Sequence, residues 1–568
     1  MGEAGVEQAA EWPNLASMMF TLARRRGSRP MLRHHVDKEW RTVTWAAFAR
    51  QTASLARGLR AAGVMAGDRV LLVSESRPEV PMLETALMAL RAVPVPAYTT
   101  NTPEDHAHLL LDSGARMAVA STAALAERVL AGTAHLREGL RALWCMDGRV
   151  AGNHGTPLSP LLDDGQGPDD IMAEAEAIPP GTLACLIYTS GTAGLPRGVM
   201  LPHRAILSNI AAVSVLARPF QLDGSTYLSF LPLSHSYEHT VGQFMLPALG
   251  ATIVYGRGLE HLAADMLAIR PTILTVVPRM LDVIRTRIQL QAGRESPRRQ
   301  RWFARALAAG ERRLDGTQTV GDRLLDPVLE HLVRRKVRAR FGGRLVAVIS
   351  GGARLDPGIS RFFDALGVPL LQGYGQTEAG PVVSVNVPGR ARNTTVGPPL
   401  PGVEVRLAED GEVLVRGGLV MDGYWNQPGA TAAALQDGWL HTGDVGTLDV
   451  RGLITITDRK KDIIVLSGGE KVSPARVEGV LMTDARIAQA VVLGEGKPGL
   501  SALIVPGPDG DARSVGEAVA AVNRGLSVTE RIRRHALVPP FTVENGLMTP
   551  SQKIRRVAVI RAHGTSLG

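Results

Sequence analysis

The chain has 568 residues, 45% hydrophobic and 21% charged, which is enough for several domains around a large apolar core. No segment approaches the ~18 uncharged apolar residues of a membrane span, and two cysteines, Cys145 and Cys185, are too few for a disulfide scaffold or a zinc cluster. A net charge of +9 with only 4% aromatic residues favours an anionic ligand or membrane surface over base stacking with nucleic acid.

The first third of the chain alternates helix-like and strand-like segments. Thr44 is placed to cap a helix that Gly63 would end, and Thr102 with Pro103 has the chemistry of a second helix start. The apolar run at Val70–Val73 reads as a buried strand between them. This βα alternation predicts a mostly parallel sheet with helices on both faces, and hence an α/β fold.

A stretch rich in Ser, Thr and Gly follows an unbroken apolar run that predicts a buried strand. Residues Tyr188–Met200 read Y-T-S-G-T-A-G-L-P-R-G-V-M. Small residues let backbone N–H groups approach phosphate oxygens, the hydroxyls of Ser190 and Thr192 add donors, and Arg197 adds charge. The spacing differs from that of a Walker loop. Apolar residues within Ile206–Leu216 recur at helical spacing, so we expect this phosphate-binding loop to lead into the N-terminus of a helix that starts at Pro202.

A basic, helix-patterned region lies between Arg285 and Arg340. It carries Arg298, Arg299, Arg301, Trp302, Phe303 and Arg305, and then Arg334, Arg335, Lys336, Arg338 and Arg340. A solvated helical face and contact with a membrane surface both fit this pattern. We therefore expect a cytoplasmic protein, and the sequence leaves open whether it attaches peripherally to the inner membrane surface.

The last part of the chain changes character twice. From Leu345 it becomes rich in glycine and strand-forming residues, including the turn Ser350–Ala353. A predicted strand, Leu453–Ile456, is followed by the charged break D-R-K-K-D at Asp458–Asp462. We place a domain boundary here, between a large domain of residues 1–460 and a small α+β domain of residues 461–568.

Four motifs in order resemble the adenylate-forming superfamily of acyl-CoA synthetases, luciferases and carrier-loading adenylation domains. They are the loop at Tyr188–Met200, G-Y-G-Q-T-E at Gly373–Glu378, W-L-H-T-G-D at Trp439–Asp444, and D-R-K-K-D with the following S-G-G-E. V-P-R-M at Val277–Met280, the basic region and R-F-G-G-R-L look most like the long-chain fatty acyl-CoA synthetase branch. The resemblance implies a multi-layer N-terminal domain with βα sheets and a β-rich subdomain, plus a small mobile C-terminal domain.

The resemblance also implies site residues for joining a carboxylate to ATP with the help of Mg²⁺. Those matching the phosphate loop are Thr189, Ser190, Gly191, Thr192, Gly194 and Arg197, and Thr192 with Glu378 match the Mg²⁺ ligands. Those matching the adenosine site are Gly351, Gly352, Ala353, Gly373, Tyr374, Gly375, Gln376, Thr377, Asp444 and Arg459. Lys553 matches the lysine that bridges the attacking carboxylate and the α-phosphate, where a fixed charge stabilises the transition state.

A second set matches the coenzyme A step and the acyl pocket. Lys461 matches the hinge of the small domain, and Gly468, Gly469 and Glu470 match the segment brought to the site for coenzyme A. His235 matches the mouth of the acyl pocket, although a structural histidine is an equal interpretation.

Two positions depart from the family pattern. Arg197 stands where Lys is usual and Ala193 where Thr is usual. Arg keeps the charge but is bulkier and less hydrated than Lys, so the affinity for ATP or the rate is in question.

The expected activity is ATP-dependent ligation of a fatty acid to coenzyme A, giving acyl-CoA, AMP and pyrophosphate, by a monomer or a homodimer without nucleic acid. Two alternatives stay open. One is a fatty acyl-AMP ligase that loads a carrier protein. The other is a weakly catalytic, membrane-associated binder of acyl chains or nucleotides.

Overall fold

The computed structural model describes residues 12–148, 155–189, 195–387, 393–508, 510–549 and 553–567. The first third alternates helices with short strands, as the sequence predicts. Its elements are α1 (Leu15–Arg26), β1 (Pro30–Val36), β2 (Glu39–Thr44), α2 (Trp45–Ala61), β3 (Arg69–Val73), α3 (Glu79–Ala89), β4 (Val93–Ala97), α4 (Pro103–Ser113), β5 (Met117–Ala120), α5 (Ala123–Gly132), β6 (Ala142–Cys145), β7 (Thr156–Pro157), α6 (Asp169–Glu176) and β8 (Leu183–Thr189). Thr44 and Thr102 accept hydrogen bonds from backbone N–H groups at the starts of α2 and α4, which confirms both predicted caps.

The middle of the chain contains the basic helices. Its elements are β9 (Arg197–Pro202), α7 (His203–Ala217), β10 (Thr226–Ser229), α8 (Leu246–Ala248), β11 (Thr252–Tyr255), α9 (Leu262–Ile269), β12 (Ile273–Val276), α10 (Pro278–Gly293), α11 (Pro297–Leu314), α12 (Val320–Leu329), α13 (Arg335–Ala339), β13 (Ala347–Ser350), α14 (Pro357–Ala365), β14 (Leu370–Gly375) and β15 (Val382–Val385). A π-helical stretch, Glu330–Arg334, joins α12 to α13 as one continuous helix, and another, Glu238–Met245, precedes α8.

The last part of the chain is rich in strands. It contains β16 (Glu404–Leu407), β17 (Glu412–Arg416), β18 (Gly423–Tyr424), α15 (Pro428–Ala434), β19 (Leu435–Gln436), β20 (Trp439–Leu448), β21 (Ile454–Arg459), β22 (Ile464–Val465), β23 (Lys471–Val472), α16 (Pro474–Leu481), β24 (Ile487–Leu493), β25 (Leu500–Pro506), α17 (Ala512–Gly525), β26 (Ile532–Leu537) and α18 (Arg556–His563). Within the described residues, no helix combines the length and the apolar character needed to cross a bilayer.

Two mostly parallel sheets form the body of the N-terminal part. One has the order β15-β14-β13-β12-β10-β11-β1-β2, parallel except at its two antiparallel edges, and the other has the parallel order β4-β3-β5-β6-β7. An antiparallel sheet of β16, β17, β20, β19 and β21 forms the predicted β-rich subdomain. The α/β class and the parallel pairing are therefore confirmed.

The buried apolar residues fall into separate clusters on either side of residue 461. Three clusters use residues that precede it, from α1 to β21. Two further clusters use only residues from Ile464 onward, around the sheet of β24, β25 and β26. The C-terminal residues thus have an apolar core of their own, of the α+β kind that the sequence predicts.

The helix predicted to start at Pro202 is confirmed, since α7 begins at His203 with Pro202 as its N-cap, but the predicted direct junction between the phosphate loop and that helix N-terminus is wrong. Residues Arg197–Pro202 form a strand, β9, that pairs antiparallel with β8, and Thr189 is the register partner of Arg197. Helix α7 begins only at His203, so the six-residue strand separates its N-terminus from the loop by roughly 17–20 Å. The reason is packing, because Val199 and Leu201 are fully buried against the core on alternate positions of β9.

Candidate active site

A cavity of about 1560 Å³ lies between the N-terminal part and the C-terminal domain. Most residues singled out in the sequence line it, namely Thr189, Arg197, His235, Gly351, Gly352, Ala353, Gly373, Tyr374, Gly375, Gln376, Thr377, Glu378, Asp444, Arg459, Lys461 and Lys553. Ser190, Gly191, Thr192 and Gly194 lie outside the described residues. Gly468, Gly469 and Glu470 do not line the cavity, because they form an exposed turn between β22 and β23.

A buried carboxylate, Asp444, lies on one wall with both oxygens engaged. Its Oδ1 accepts from Arg459 Nε at 2.7 Å and its Oδ2 accepts from the Tyr374 hydroxyl at 2.7 Å. The antiparallel register of β20 and β21 places Asp444 opposite Arg459. Burial raises the pKa of Asp444, while Arg459 and then Tyr374 act in the opposite direction. The arrangement fixes an anionic acceptor beside a cation and an aromatic ring.

Glycines bring backbone close to other groups on the same wall. A Cβ at Gly375 would lie 1.8 Å from the carbonyl oxygen of Pro381, a distance that no side chain tolerates. A Cβ at Gly351 would lie 3.2 Å from the Tyr237 ring, whose hydroxyl donates to Ile349 O at 3.0 Å. Backbone rather than side chain therefore lines the cavity at these glycines, at the ends of β13 and β14.

Glu378 is held in a short turn after β14 by side chains from three other segments. Its Oε1 accepts from the Tyr424 hydroxyl at 2.8 Å. The neighbouring Thr377 hydroxyl lies 2.8 Å from Ser236 Oγ, and Asn209 of α7 donates to Ala379 O at 3.3 Å. The sequence indicated none of these three partners, because each is more than 40 residues distant along the chain.

Arg197 contacts the same tyrosine from the other side. Its guanidinium carbon lies 5.5 Å from the centre of the Tyr424 ring, within the range of a cation–π interaction. Strand β18, which carries Tyr424, pairs antiparallel with β9, which begins with Arg197. Burial, and then the Glu378 carboxylate, raise the pKa of Tyr424, so its hydroxyl stays protonated as a donor.

The single carboxylate of Glu378 suits a magnesium ion that binds together with a nucleotide. Among the described residues, no group of three or more His, Cys, Asp or Glu side chains is arranged to hold a metal ion by itself. Mg²⁺ usually takes one or two carboxylates and completes its shell with waters and phosphate oxygens. A single half-buried carboxylate on the cavity wall matches that requirement.

The C-terminal domain places the cation Lys553 at the cavity, in addition to Lys461 and Arg556. Lys553 lines the cavity together with Glu378 and Asp444. Lys553 is accessible to solvent, yet the protein around its ammonium, and then the Arg459 charge, lower the pKa of Lys553, while Asp444 and Glu378 act to raise it. Burial, and then the Lys553 charge, lower the pKa of His235 to about 4, so this imidazole is neutral near pH 7.

Part of the cavity wall is lined by apolar side chains. It is lined by Tyr98, Ile187, Val213, Val241 and Met245, of which Ile187, Val241 and Met245 are buried. Val241 and Met245 belong to the π-helical stretch that begins three residues after His235. This section can hold an apolar group whose polar end faces the charged wall.

The segment that joins the two domains is fixed on its N-terminal side. Lys460 Nζ lies 2.6 Å from Asp410 Oδ2 and 2.9 Å from Glu412 Oε2. The backbone N–H of Lys460 donates to Gly443 O at 2.8 Å. The next residue, Lys461, is exposed and lines the cavity. Lys460 is thus anchored to the N-terminal part, whereas the Lys461 side chain faces the cavity.

Comparison with known proteins identifies two family matches and close relatives over nearly the whole chain. The AMP-binding enzyme family matches residues 19–425, and the AMP-binding enzyme C-terminal domain matches residues 461–566. The long-chain-fatty-acid–CoA ligase FadD15 of Mycobacterium tuberculosis is 33% identical over 97% of this chain and 95% of its own. Human long-chain-fatty-acid–CoA ligase 1 is 30% identical over 85% of this chain and 76% of its own.

Solved structures with the same fold include two ligases bound to their acyl-adenylates. An o-succinylbenzoate CoA synthetase from Bacillus subtilis has a TM-score of 0.71 at 21% identity and covers 96% of this chain and 97% of its own. An anthranilate CoA ligase in complex with anthranoyl-AMP has a TM-score of 0.74 at 19% identity and covers 98% of this chain and 99% of its own. Since the family matches span most of its length, the chain belongs to the AMP-binding enzyme family.

Proposed function

We propose that the protein activates long-chain fatty acids with ATP and transfers them to coenzyme A. The observation that carries the proposal is that Lys553, Glu378 and the Asp444–Arg459 pair line the same cavity as the apolar section near His235. We infer the two substrates, a fatty acid and coenzyme A, from the names of relatives at 30% and 33% identity, which are long-chain-fatty-acid–CoA ligases. The polar wall suits a nucleotide, and the apolar section suits the hydrocarbon tail of the acid.

In the first half-reaction a carboxylate oxygen attacks the α-phosphorus of ATP, and the bond to the β-phosphate oxygen breaks to release pyrophosphate. Lys553 offsets the negative charge that accumulates between the carboxylate and the α-phosphate. Arg197, with Thr189 and the loop residues 190–194, binds the outer phosphates. Mg²⁺ held by Glu378, and by Thr192 in the loop, would neutralise phosphate charge when bound.

The adenosine part is assigned to the residues at the ends of β13 and β14 and to Asp444. The backbone at Gly351–Ala353 and the Tyr374 ring hold the purine by apolar contact. Asp444 accepts from the ribose hydroxyls, which requires its present bonds to Arg459 and Tyr374 to open or to be shared. Arg459 then reaches the ribose or the α-phosphate.

In the second half-reaction the coenzyme A sulfur attacks the acyl carbonyl carbon, and the bond to AMP breaks. We place the domain boundary between residues 460 and 461, so that the small domain rotates about Lys461 while Lys460 stays fixed. The rotation withdraws Lys553 and brings Gly468, Gly469 and Glu470 to the cavity. Glycine allows the backbone to approach the pantetheine arm.

The test is a panel of carboxylic acids from acetate to oleate, incubated with ATP, Mg²⁺ and coenzyme A. We expect pyrophosphate, AMP and acyl-CoA in equal amounts, with the highest kcat/KM for long chains. Acyl-AMP that accumulates with coenzyme A and is consumed only by a carrier protein would establish a carrier-loading ligase instead. Absence of ATP–pyrophosphate exchange with every acid would establish a binding protein.

Glu378→Gln separates the chemistry from folding in the same assay. The amide keeps the shape and accepts from Tyr424, but it removes the negative charge that a hard cation requires. We expect most of the turnover to be lost with unchanged thermal unfolding. An unfolded variant would assign Glu378 a structural role.

A further inference from the structure

The positive charge of the chain is concentrated in one segment. Residues 283–346 contain sixteen Lys or Arg and six Asp or Glu, a net charge of +10, against +9 for the whole chain. The remaining residues therefore sum to −1. The segment covers most of α10 and all of α11, α12 and α13, so the charge belongs to one helical region.

Most carboxylates of this region are already paired with arginines. The pairs are Asp315–Arg361 at 2.8 Å, Asp322–Arg312 at 2.5 Å, Asp326–Arg334 at 2.7 Å, and Glu330–Arg338. In contrast, Arg323, Arg335 and Lys336 are exposed and form no ion pair within the part of the chain that the structure describes. These three cations remain available to an anionic partner.

The continuous helix of α12 and α13 also exposes a row of apolar side chains. They are Val320 (74% exposed), Leu324 (75%), Val328 (39%) and Leu332 (37%), spaced by four residues along one side. The opposite side of the same helix is buried, with Leu329, Val333 and Val337 packed in the second core cluster. The exposed row is therefore additional to what folding requires.

We infer that this surface, termed the α12 face and made of Val320, Leu324, Val328, Leu332, Arg323, Arg335 and Lys336, docks on a bilayer that contains anionic lipid. A helix that lies in a membrane interface buries an apolar row at the acyl boundary and places cations among the headgroups. The α12 face has both features on one helix. A nucleic acid or an acidic protein domain would use the cations but would leave the apolar row in water.

Some of the residues that the sequence indicated in this region are occupied within the protein. Trp302 and Phe303 pack against the second core cluster, and Arg299 pairs with Glu295 at 2.7 Å. Arg334 is buried with its guanidinium on Asp326. Arg298, Arg301 and Arg305 of α11 are exposed, but among the described residues of this helix Leu314 is the one large apolar residue that is exposed. We therefore place the docking surface on the next helix, which has the apolar row.

The experiment measures binding of the full-length protein, without substrates, to vesicles of phosphatidylcholine alone or mixed with phosphatidylglycerol. We expect binding only to the mixed vesicles, and weaker binding at high salt, since the Debye length falls from about 10 Å at 0.1 M to about 3 Å at 1 M. Because no turnover is measured, the result is independent of the proposed activity.

Two variants test the apolar row and the cations of the α12 face separately. Val320→Ser with Leu324→Ser should weaken binding at every salt concentration. Arg323→Gln with Arg335→Gln and Lys336→Gln should weaken it by about fivefold per cation, or about 100-fold together, and remove most of the salt dependence. A matched control, Val528→Ser with Arg524→Gln, changes an exposed apolar residue and an exposed cation of the small domain and should bind like the unmodified protein.

Several outcomes would overturn the inference. They are no binding to anionic vesicles, wild-type binding by the Val320/Leu324 variant, or an equal loss in the control. Binding to duplex DNA that competes with vesicles and ignores the apolar substitutions would assign the cations to a nucleic acid. A dimer in sedimentation velocity that the apolar substitutions dissociate would assign the face to a second copy of the chain. Thermal unfolding checks that each variant is folded.

Discussion

The Arg197 guanidinium lies 5.5 Å from the centre of the Tyr424 ring. The hydroxyl of the same tyrosine donates to Glu378 Oε1 at 2.8 Å, so one side chain touches both the cation of the phosphate loop and the proposed magnesium ligand. Antiparallel pairing of β18 with β9 brings the tyrosine there, 227 positions after Arg197 in the sequence. Tyr424 is thus a positioning residue for two charges of opposite sign.

Tyr424→Phe should raise the Mg²⁺ concentration needed for half-maximal pyrophosphate release, and should lower the rate by about tenfold. The reason is that a hydrogen bond to a charged acceptor contributes about 1.5–3 kcal/mol, while the retained ring preserves the contact with Arg197. Tyr188→Phe is the control, because it removes a hydroxyl that bonds Asp112 at 2.6 Å rather than Glu378. Equal changes in the Mg²⁺ requirement of both variants would refute a specific role for Tyr424.

Arg197→Lys should retain activity, because an ammonium supplies the charge that the family usually places at this position. Arg197→Ala should raise the KM for ATP by about tenfold or more, since a charge-assisted contact to phosphate is lost. Combining Arg197→Ala with Tyr424→Leu tests the contact between the two side chains. We expect the loss of free energy of ATP binding in the double variant to be smaller than the sum of the losses in the two single variants. Unchanged ATP kinetics in Arg197→Ala would place the cation away from the phosphates.

The pH dependence of adenylation should report Lys553. Its pKa is lowered by the protein around its ammonium and by Arg459, so the ammonium loses its proton at a lower pH than an ordinary lysine, whose pKa is about 10.4. Only the charged form offsets phosphate charge, so kcat/KM for pyrophosphate release without coenzyme A should be full at low pH and fall as pH rises through that pKa.

Lys553→Arg provides the control for this pH effect. A guanidinium stays charged to about pH 12, so this variant should be slower at neutral pH but should lack the alkaline decline. The same decline in both proteins would assign it to another group.

The sequence was sufficient for the elements whose signals are local. The caps at Thr44 and Thr102, the apolar run of β8 and the parallel alternation all depend on neighbouring residues, and the structure has them. The strand β9 was missed because its apolar residues run directly into the apolar face of α7, and only pairing with β8 distinguishes the two.

Buried polar residues after His235 gave no usable local signal. Glu238 looks like a surface acid, yet it is fully buried, and its carboxylate accepts from Tyr227, Ser229 and Thr275 on neighbouring strands. Burial raises its pKa to about 7, while hydroxyls from Ser229, Tyr227 and Thr275 act in the opposite direction. Such partners come together only through the tertiary fold, as Tyr424 and Glu378 do.

The two half-reactions use different segments of the small domain in the proposed mechanism. Lys553 lines the cavity, whereas the turn at Gly468 and Gly469 is exposed and outside it. We therefore propose that this arrangement corresponds to the adenylation step. Gly468 has space for a side chain except for the flexible end of Glu470, whereas Gly469 has φ +86° and would be strained by any other residue. Gly468 is accordingly the better position for a test.

Lys553→Ala should cripple formation of acyl-AMP, by several kcal/mol of lost charge stabilisation, yet should leave supplied acyl-AMP able to react with coenzyme A. Gly468→Val and Lys461→Pro should do the reverse, because access of pantetheine and rotation after Lys460 belong to the second step. Gly479→Ala in α16, where a Cβ meets no atom within 4 Å, should leave both steps unchanged. The measurements are pyrophosphate release without coenzyme A and thioester formation from synthetic acyl-AMP. If Lys553→Ala slowed both equally, alternation of the small domain would not describe this enzyme, because one fixed arrangement would then serve both reactions.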